Sequence, residues 1–340
     1  MDMGLLGCNR PRGASCAHKL ATAALITVLS VPTIQSIFHH VGIAYAHGGT
    51  HIAYSRQHRK GCQRRRATNQ FANDPGQGDD LAKRLTTIIK TQSSAAGVLE
   101  EVELMIKNPI FNIIHASVAI HSLATLQDTF DSSVHDSHAV LLDDLVNSVQ
   151  GMIDDETEYQ IVSSLVLSIA KLWYKIPALR KLIPVLTEAS FWAAPSLDSR
   201  GIANILWAAA KLRKEAPQLK DVVPALLEVL NKSVPTMNSQ QIANIIWAIA
   251  ILHSEDREIR VAKHLPLLVD AMVAKIDKMS VQPLHLANSC TGLASCLYTD
   301  IKFMSKVSSM VVGQMPQWTR RPAYFYLPGI LWSFATLSIR

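Results

Sequence analysis

Cysteine is scarce in this sequence. Five in 340 residues cannot frame a disulfide scaffold, and three of them (Cys8, Cys16, Cys62) precede residue 73. Cys290 and Cys296 are six apart and point to different faces of a helix. They read as two small buried hydrophobes, not as zinc ligands. Glycine and proline number fifteen each, which excludes collagen-like and Pro-rich low-complexity classes. No stretch alternates with period two for long enough to suggest a sheet. Enzyme signatures are missing: there is no phosphate loop, no G-x-S-x-G and no H-E-x-x-H. His115 and His121 do not share a helix face, and His135 and His138 sit in an acidic stretch that reads as a solvated loop. The expectation is a non-catalytic protein with no cofactor, no metal and no small-molecule substrate.

What is present is apolar: 49% of residues are hydrophobic, too many for a disordered chain. Charge is unevenly spread. Residues 1–73 hold nine Lys/Arg and a single acid, Asp2. Residues 100–158 hold twelve acids and one base, Lys107, whereas residues 171–340 hold twenty bases and eleven acids. A basic half suits a polyanion, which is expected to dock on the C-terminal part and avoid the N-terminal one.

The first 80 residues read as targeting sequence. Arg10, Arg12 and Lys19 precede the apolar run Leu20–Val31, and Ala44-Tyr45-Ala46 follows as a small-x-small cleavage site. Twelve apolar residues fall short of the about 20 needed to span a bilayer. Segment 1–46 is therefore signal-peptide-like, with a signal anchor as the alternative. Segment 47–80 is a transit-like basic linker, free of acids as far as residue 73 and ending in the hinge NDPGQGDD. Its Arg64-Arg65-Arg66 run reads as transit charge, with an RNA-binding arm as the alternative. Such a leader points to a plastid, through a bipartite presequence, or to a mitochondrion. No membrane span is expected in the mature body.

The body repeats itself. Gly201–Leu212 (GIANILWAAAKL) matches Gln241–Leu252 (QIANIIWAIAIL) at an offset of forty. Ile161–Leu172, Leu286–Cys296, Leu327–Leu337 and a weaker Ser117–Leu126 are further copies. A second apolar segment follows the inner copies, and Pro184, Pro224 and Pro266 recur in it as helix starts or kinks. Ile202, Ile205, Leu206, Ala209 and Leu212 fall at helical spacing, and Asn238 with Gln241 forms a capping-box pair. The predicted fold is all-α: an α-solenoid of five to six helix-turn-helix repeats of about 40 residues over 81–340, preceded by a disordered targeting leader. Arg340 falls in the middle of the sixth unit, which reads as truncated.

The tract N-x-x-W-A-x-A-x-L inside such a hairpin resembles the octotricopeptide repeat. It is similar to the helical repeats that precede RAP domains in organellar RNA-binding proteins. FAST-kinase-like proteins and helical-repeat subunits of kinetoplastid RNA-editing substrate-binding complexes look alike too. The resemblance is close over Asp198–Ile276 and looser over 108–340. It implies binding of single-stranded organellar RNA for processing, stability, editing or translation, together with other RNA-processing proteins. The alternative is a protein-interaction scaffold of armadillo or HEAT type.

Within one helix face of the third copy stand Arg200, Asn204, Ala208 and Lys211; the fourth copy has Gln240, Asn244, Ala248 and Ile251. Arg and Lys neutralise phosphate and Asn reads base edges. The RNA-binding candidates are Arg200, Asn204, Lys211, Arg213, Gln240, Asn244 and Asn288. An asparagine that recurs unchanged also fits a structural role, satisfying backbone groups between repeats. Trp207, Trp247 and Trp332 hold a fixed place on an apolar helix, which predicts hairpin core over base stacking. Residues 1–80 fused to a fluorescent reporter are expected to deliver it to an organelle; diffuse cytosolic fluorescence would contradict the targeting reading.

Overall fold

The computed structural model describes residues 75–318 and 325–338. The expected cleavage site, the acid-free stretch and the Arg64-Arg65-Arg66 run lie outside the described residues. The chain divides between Gln70 and Phe71 into two units, and all that follows concerns the second.

Among the described residues there are fourteen α-helices and no strand. In chain order they are α1 (Pro75–Lys90), α2 (Ala95–Met105), α3 (Ile113–Thr125), α4 (Ser132–Ser137), α5 (Ala139–Met152), α6 (Tyr159–Leu172) and α7 (Ile183–Ala193). They continue with α8 (Ser199–Lys211), α9 (Val223–Ser233), α10 (Ser239–Glu255), α11 (Leu265–Asp277), α12 (Pro283–Ser295), α13 (Ile301–Trp318) and α14 (Leu327–Ser338). The first helix opens at Pro75, inside the segment expected to be a hinge. Proline fixes the backbone angle of a first helical turn, so it starts a helix as readily as it marks a loop.

All the helices but the short α4 fall into two sets. In set A, α1 packs on α3, α3 on α6, α6 on α8, α8 on α10, α10 on α12 and α12 on α14. Set B (α2, α5, α7, α9, α11, α13) supplies the second arm of the hairpins; α6 packs on α7, α8 on α9 and α10 on α11. The 3₁₀ turns Pro177–Leu182 and Pro217–Val222 lead into α7 and α9. Pro184, Pro224 and Pro266 each stand in the first turn of the α-helix proper, so the recurring proline starts the helix and does not kink it.

Local chemistry explains the helix ends. Asp198 accepts a hydrogen bond from the Gly201 amide at 2.7 Å and caps α8. Asn238 and Gln241 close the capping box at the start of α10. Asn112 and His115 do the same for α3, while the other ring nitrogen of the buried His115 reaches Ala82 O, 3.0 Å away.

Ile202, Ile205, Leu206, Ala209 and Leu212 are all buried, as their spacing requires. Superposing the copies on their common Ala-x-Leu end exposes one further rule. Ser122, Ser168, Ala208, Ala248, Gly292 and Ser333 occupy the same register position, and all are buried and small. Gly292 shows why. A Cβ there would lie 2.8 Å from the Trp247 Cα and 3.1 Å from the Ile246 carbonyl oxygen, both backbone atoms of α10. α12 approaches α10 through this position, and no large side chain fits there. Gly292→Ala should push α12 off α10 and cost about 1–3 kcal/mol, the usual range for overpacking. Urea unfolding of the full chain checks this; an unchanged midpoint would contradict the close approach.

Candidate nucleic-acid interface

The residue before each small one has nowhere to go but outward. His121, Leu167, Trp207, Trp247, Thr291 and Trp332 hold that position, and every one is half-buried. The tryptophans therefore stand at the edge of the hairpin core and are not fully inside it. One turn earlier stand Ser164, Asn204, Asn244 and Asn288; one turn later stand Lys171, Lys211, Ile251 and Ser295. These too are half-buried. The result is a stripe on each A helix, repeated on the neighbouring one. On α8 it reads Arg200, Asn204, Trp207, Lys211; on α10 it reads Gln240, Asn244, Trp247, Ile251. Ala208 and Ala248, which spacing alone put on this face, are fully buried instead.

The asparagines do not have the structural role that their constancy suggested. The side-chain amides of Asn204, Asn244 and Asn288 make no hydrogen bond among the described residues. They are half-exposed groups with their donors and acceptors open.

Cations gather at one end of the stripe. The Lys211 ammonium sits over the Trp207 ring, 4.9 Å from its centre. Burial, and then the charge of Lys171, push Lys211 down to about 8. Burial and then Arg200 lower Lys171. His121 is lowered by burial first, then by Lys171, Arg200 and Lys90 in turn. Five cationic or ionisable groups from α1, α3, α6 and α8 thus share one field. None of Lys90, Lys171, Arg200 and Lys211 has a carboxylate within ion-pair range among the described residues.

Several bases elsewhere are matched. Arg213 lies off the stripe, donating to Glu255 at 2.6 Å and to the Ala210 carbonyl. Lys181 meets Asp143, Lys306 meets Asp277, and Lys302 stands 4.0 Å from Asp270. The C-terminal stripes on α10 and α12 carry no Lys or Arg. The unpaired cations beside the stripe lie on α1, α6 and α8. The acids of 100–158 fall on α2, α4, α5 and the connecting segments, and α3 carries none.

A cavity of about 460 Å³ opens where α3, α6 and α8 meet, with Lys90, His121, Gln160, Arg200 and Asn204 among its walls. A second, of about 200 Å³, is acidic: Asp154, Asp155, Glu156 and Glu158 line it beside Trp192, which is 49% exposed. Among the described residues no group of three or more His, Cys, Asp or Glu is placed to hold a metal ion. No described helix is long and apolar enough to cross a membrane. Cys290 is buried, its thiol pushed far up by desolvation, and Cys296 is partly buried.

Sequence reasoning reached Arg200, Asn204, Lys211, Gln240, Asn244 and Asn288, which line the stripes, and Arg213, which does not. It missed Lys171, although the forty-residue offset sets Ala170-Lys171-Leu172 on Ala210-Lys211-Leu212. Lys90 was missed as well, and the tryptophans were assigned to the core. No family model matches the sequence, and no curated protein is significantly similar to it.

Lys211 generates a pH prediction. Its folded pKa of about 8 lies below the ordinary 10.5. Between those values the unfolded chain binds more protons than the folded one, so stability from this group rises with pH across the window and is lowest below it. Lys211→Met should raise the melting temperature at pH 7, with the gain shrinking towards pH 10. A gain that stays flat from pH 7 to pH 10, or no gain, would contradict this.

Proposed function

We propose that this chain is an organellar RNA-binding protein in which the hairpins stack as an α-solenoid of about forty-residue repeats. Single-stranded RNA runs across the A helices, acting there in processing, stability, editing or translation. The observation that supports this best is the stripe itself: tryptophans with half-open faces, asparagine amides without partners and lysines without acids, in one register from helix to helix. Single strands are held by that combination, aromatic faces stacking on bases and cations following the backbone. The ammonium over Trp207 swings to a phosphate as a base takes its place.

A second reading, a scaffold for a basic protein partner, rests on the acidic cavity beside Trp192 and on its neighbour Phe191, 42% exposed. That surface belongs to α7 and the segment before α6, not to the stripe.

Salt titration separates the two. Each phosphate contact on a single strand contributes about −0.7 to the slope of log K against log salt. Arg200→Glu with Lys211→Glu should weaken binding of single-stranded RNA and flatten the slope by about 1.4. Lys214→Glu and Lys263→Glu, exposed bases off the stripe, should do much less. No binding by the full chain at low salt would defeat the RNA reading. Equal effects of both pairs would put the track elsewhere.

A further inference from the structure

We infer that the cavity between α3, α6 and α8 holds a terminal phosphate monoester of the bound RNA strand, so that the track ends in a pocket that recognises a phosphorylated RNA end. The inference rests on the RNA reading above and adds to it a place where the strand stops.

Charge is the first reason. Along the rest of the track each A helix offers at most one unpaired lysine, which suits a phosphodiester with its single charge. At the cavity Lys90 from α1 and Arg200 from α8 converge, and Lys171 lies close enough to lower His121 together with them. A phosphate monoester carries about −1.5 to −2 at pH 7, so the site with most positive charge matches the group with most negative charge. The only acid in the wall is Asp198, whose carboxylate holds the Gly201 amide as the cap of α8.

Hydrogen-bonding capacity is the second. Four hydroxyls line the wall, from Ser117, Ser122, Ser163 and Ser164. A monoester has three free acceptor oxygens and a diester two, so a hydroxyl-rich wall favours the former. One junction further along, Ala203 and Asn204 stand where Ser163 and Ser164 stand here. That neighbouring site lacks these two hydroxyls.

Space is the third. About 460 Å³ falls within the roughly 300–1,000 Å³ of small-ligand sites, enough for one nucleotide. Gly201 forms part of the wall, and the equivalent residue of the next unit is Gln241. A Cβ at 201 would lie 2.5 Å from the Leu197 side chain and 3.4 Å from the Ser163 hydroxyl, so a side chain there would displace its neighbours.

The test uses the full chain and one RNA sequence in three forms: 5′-phosphorylated, 3′-phosphorylated, and hydroxyl at both ends. One phosphorylated form should bind at least tenfold tighter than the hydroxyl form, and Lys90→Gln or Arg200→Gln should collapse that preference. Lys214→Gln, an exposed base away from the cavity, should preserve it. Uridine monophosphate as competitor separates an RNA end from a free nucleotide. A preference below tenfold for both phosphorylated forms overturns the inference, as does a preference that survives Lys90→Gln, or a free nucleotide that competes as well as the phosphorylated RNA. None of these touches the RNA reading, which fails only if all three RNA forms fail to bind.

Discussion

One small side chain per A helix governs the arrangement. At Gly292 a Cβ would press on the backbone of the next helix, and Ser122, Ser168, Ala208, Ala248 and Ser333 hold the same register position, all small and buried. Packing at interior density leaves no room for an extra methyl group at such a crossing. The neighbouring position, 100° around the helix, is then held at the rim of the contact. That is where the tryptophans stand. The same constraint that brings the helices together sets a row of large or polar side chains at one height along their shared edge.

Electrostatics follows from this placement. Lys171 and Lys211 lie one turn beyond the rim position, on a surface low enough to be partly desolvated. They repel one another and are held in place by helices packed for other reasons. A site that keeps like charges together at a cost to its own stability is one in which a polyanion gains from binding. Sequence position conceals this. The acids of 100–158 and the unpaired bases beside the stripe are neighbours along the chain, but they occupy different helices: α2, α4 and α5 against α1, α6 and α8.

Much of the fold is legible in the sequence. The forty-residue offset, the Asn238–Gln241 capping pair and the Ile202/Ile205/Leu206/Ala209 face describe local events, and local events leave local patterns. The stripe is only half legible. Amphipathic reading counts tryptophan as apolar and sends it inward, whereas its position is decided by the small residue that follows it and by the helix across the contact. The signal was present as an unbroken Ser/Ala/Gly column one place after the Trp column. The cavity was not legible: Lys90, His121 and Arg200 are brought together by packing between helices far apart in sequence, and no spacing rule connects them. Arg213 shows the reverse error, a base next to the stripe in sequence that turns away to Glu255.

The central claim is that RNA lies across the A helices, and the most direct measurement is ultraviolet crosslinking of a uridine-rich single strand to the full chain, with the crosslinked peptides identified by mass spectrometry. The account predicts adducts on the peptides carrying Trp207 and Trp247, with few on α7, α9 or α11. Crosslinks concentrated on set B, at Trp192 or around Lys220 and Lys263, would contradict it.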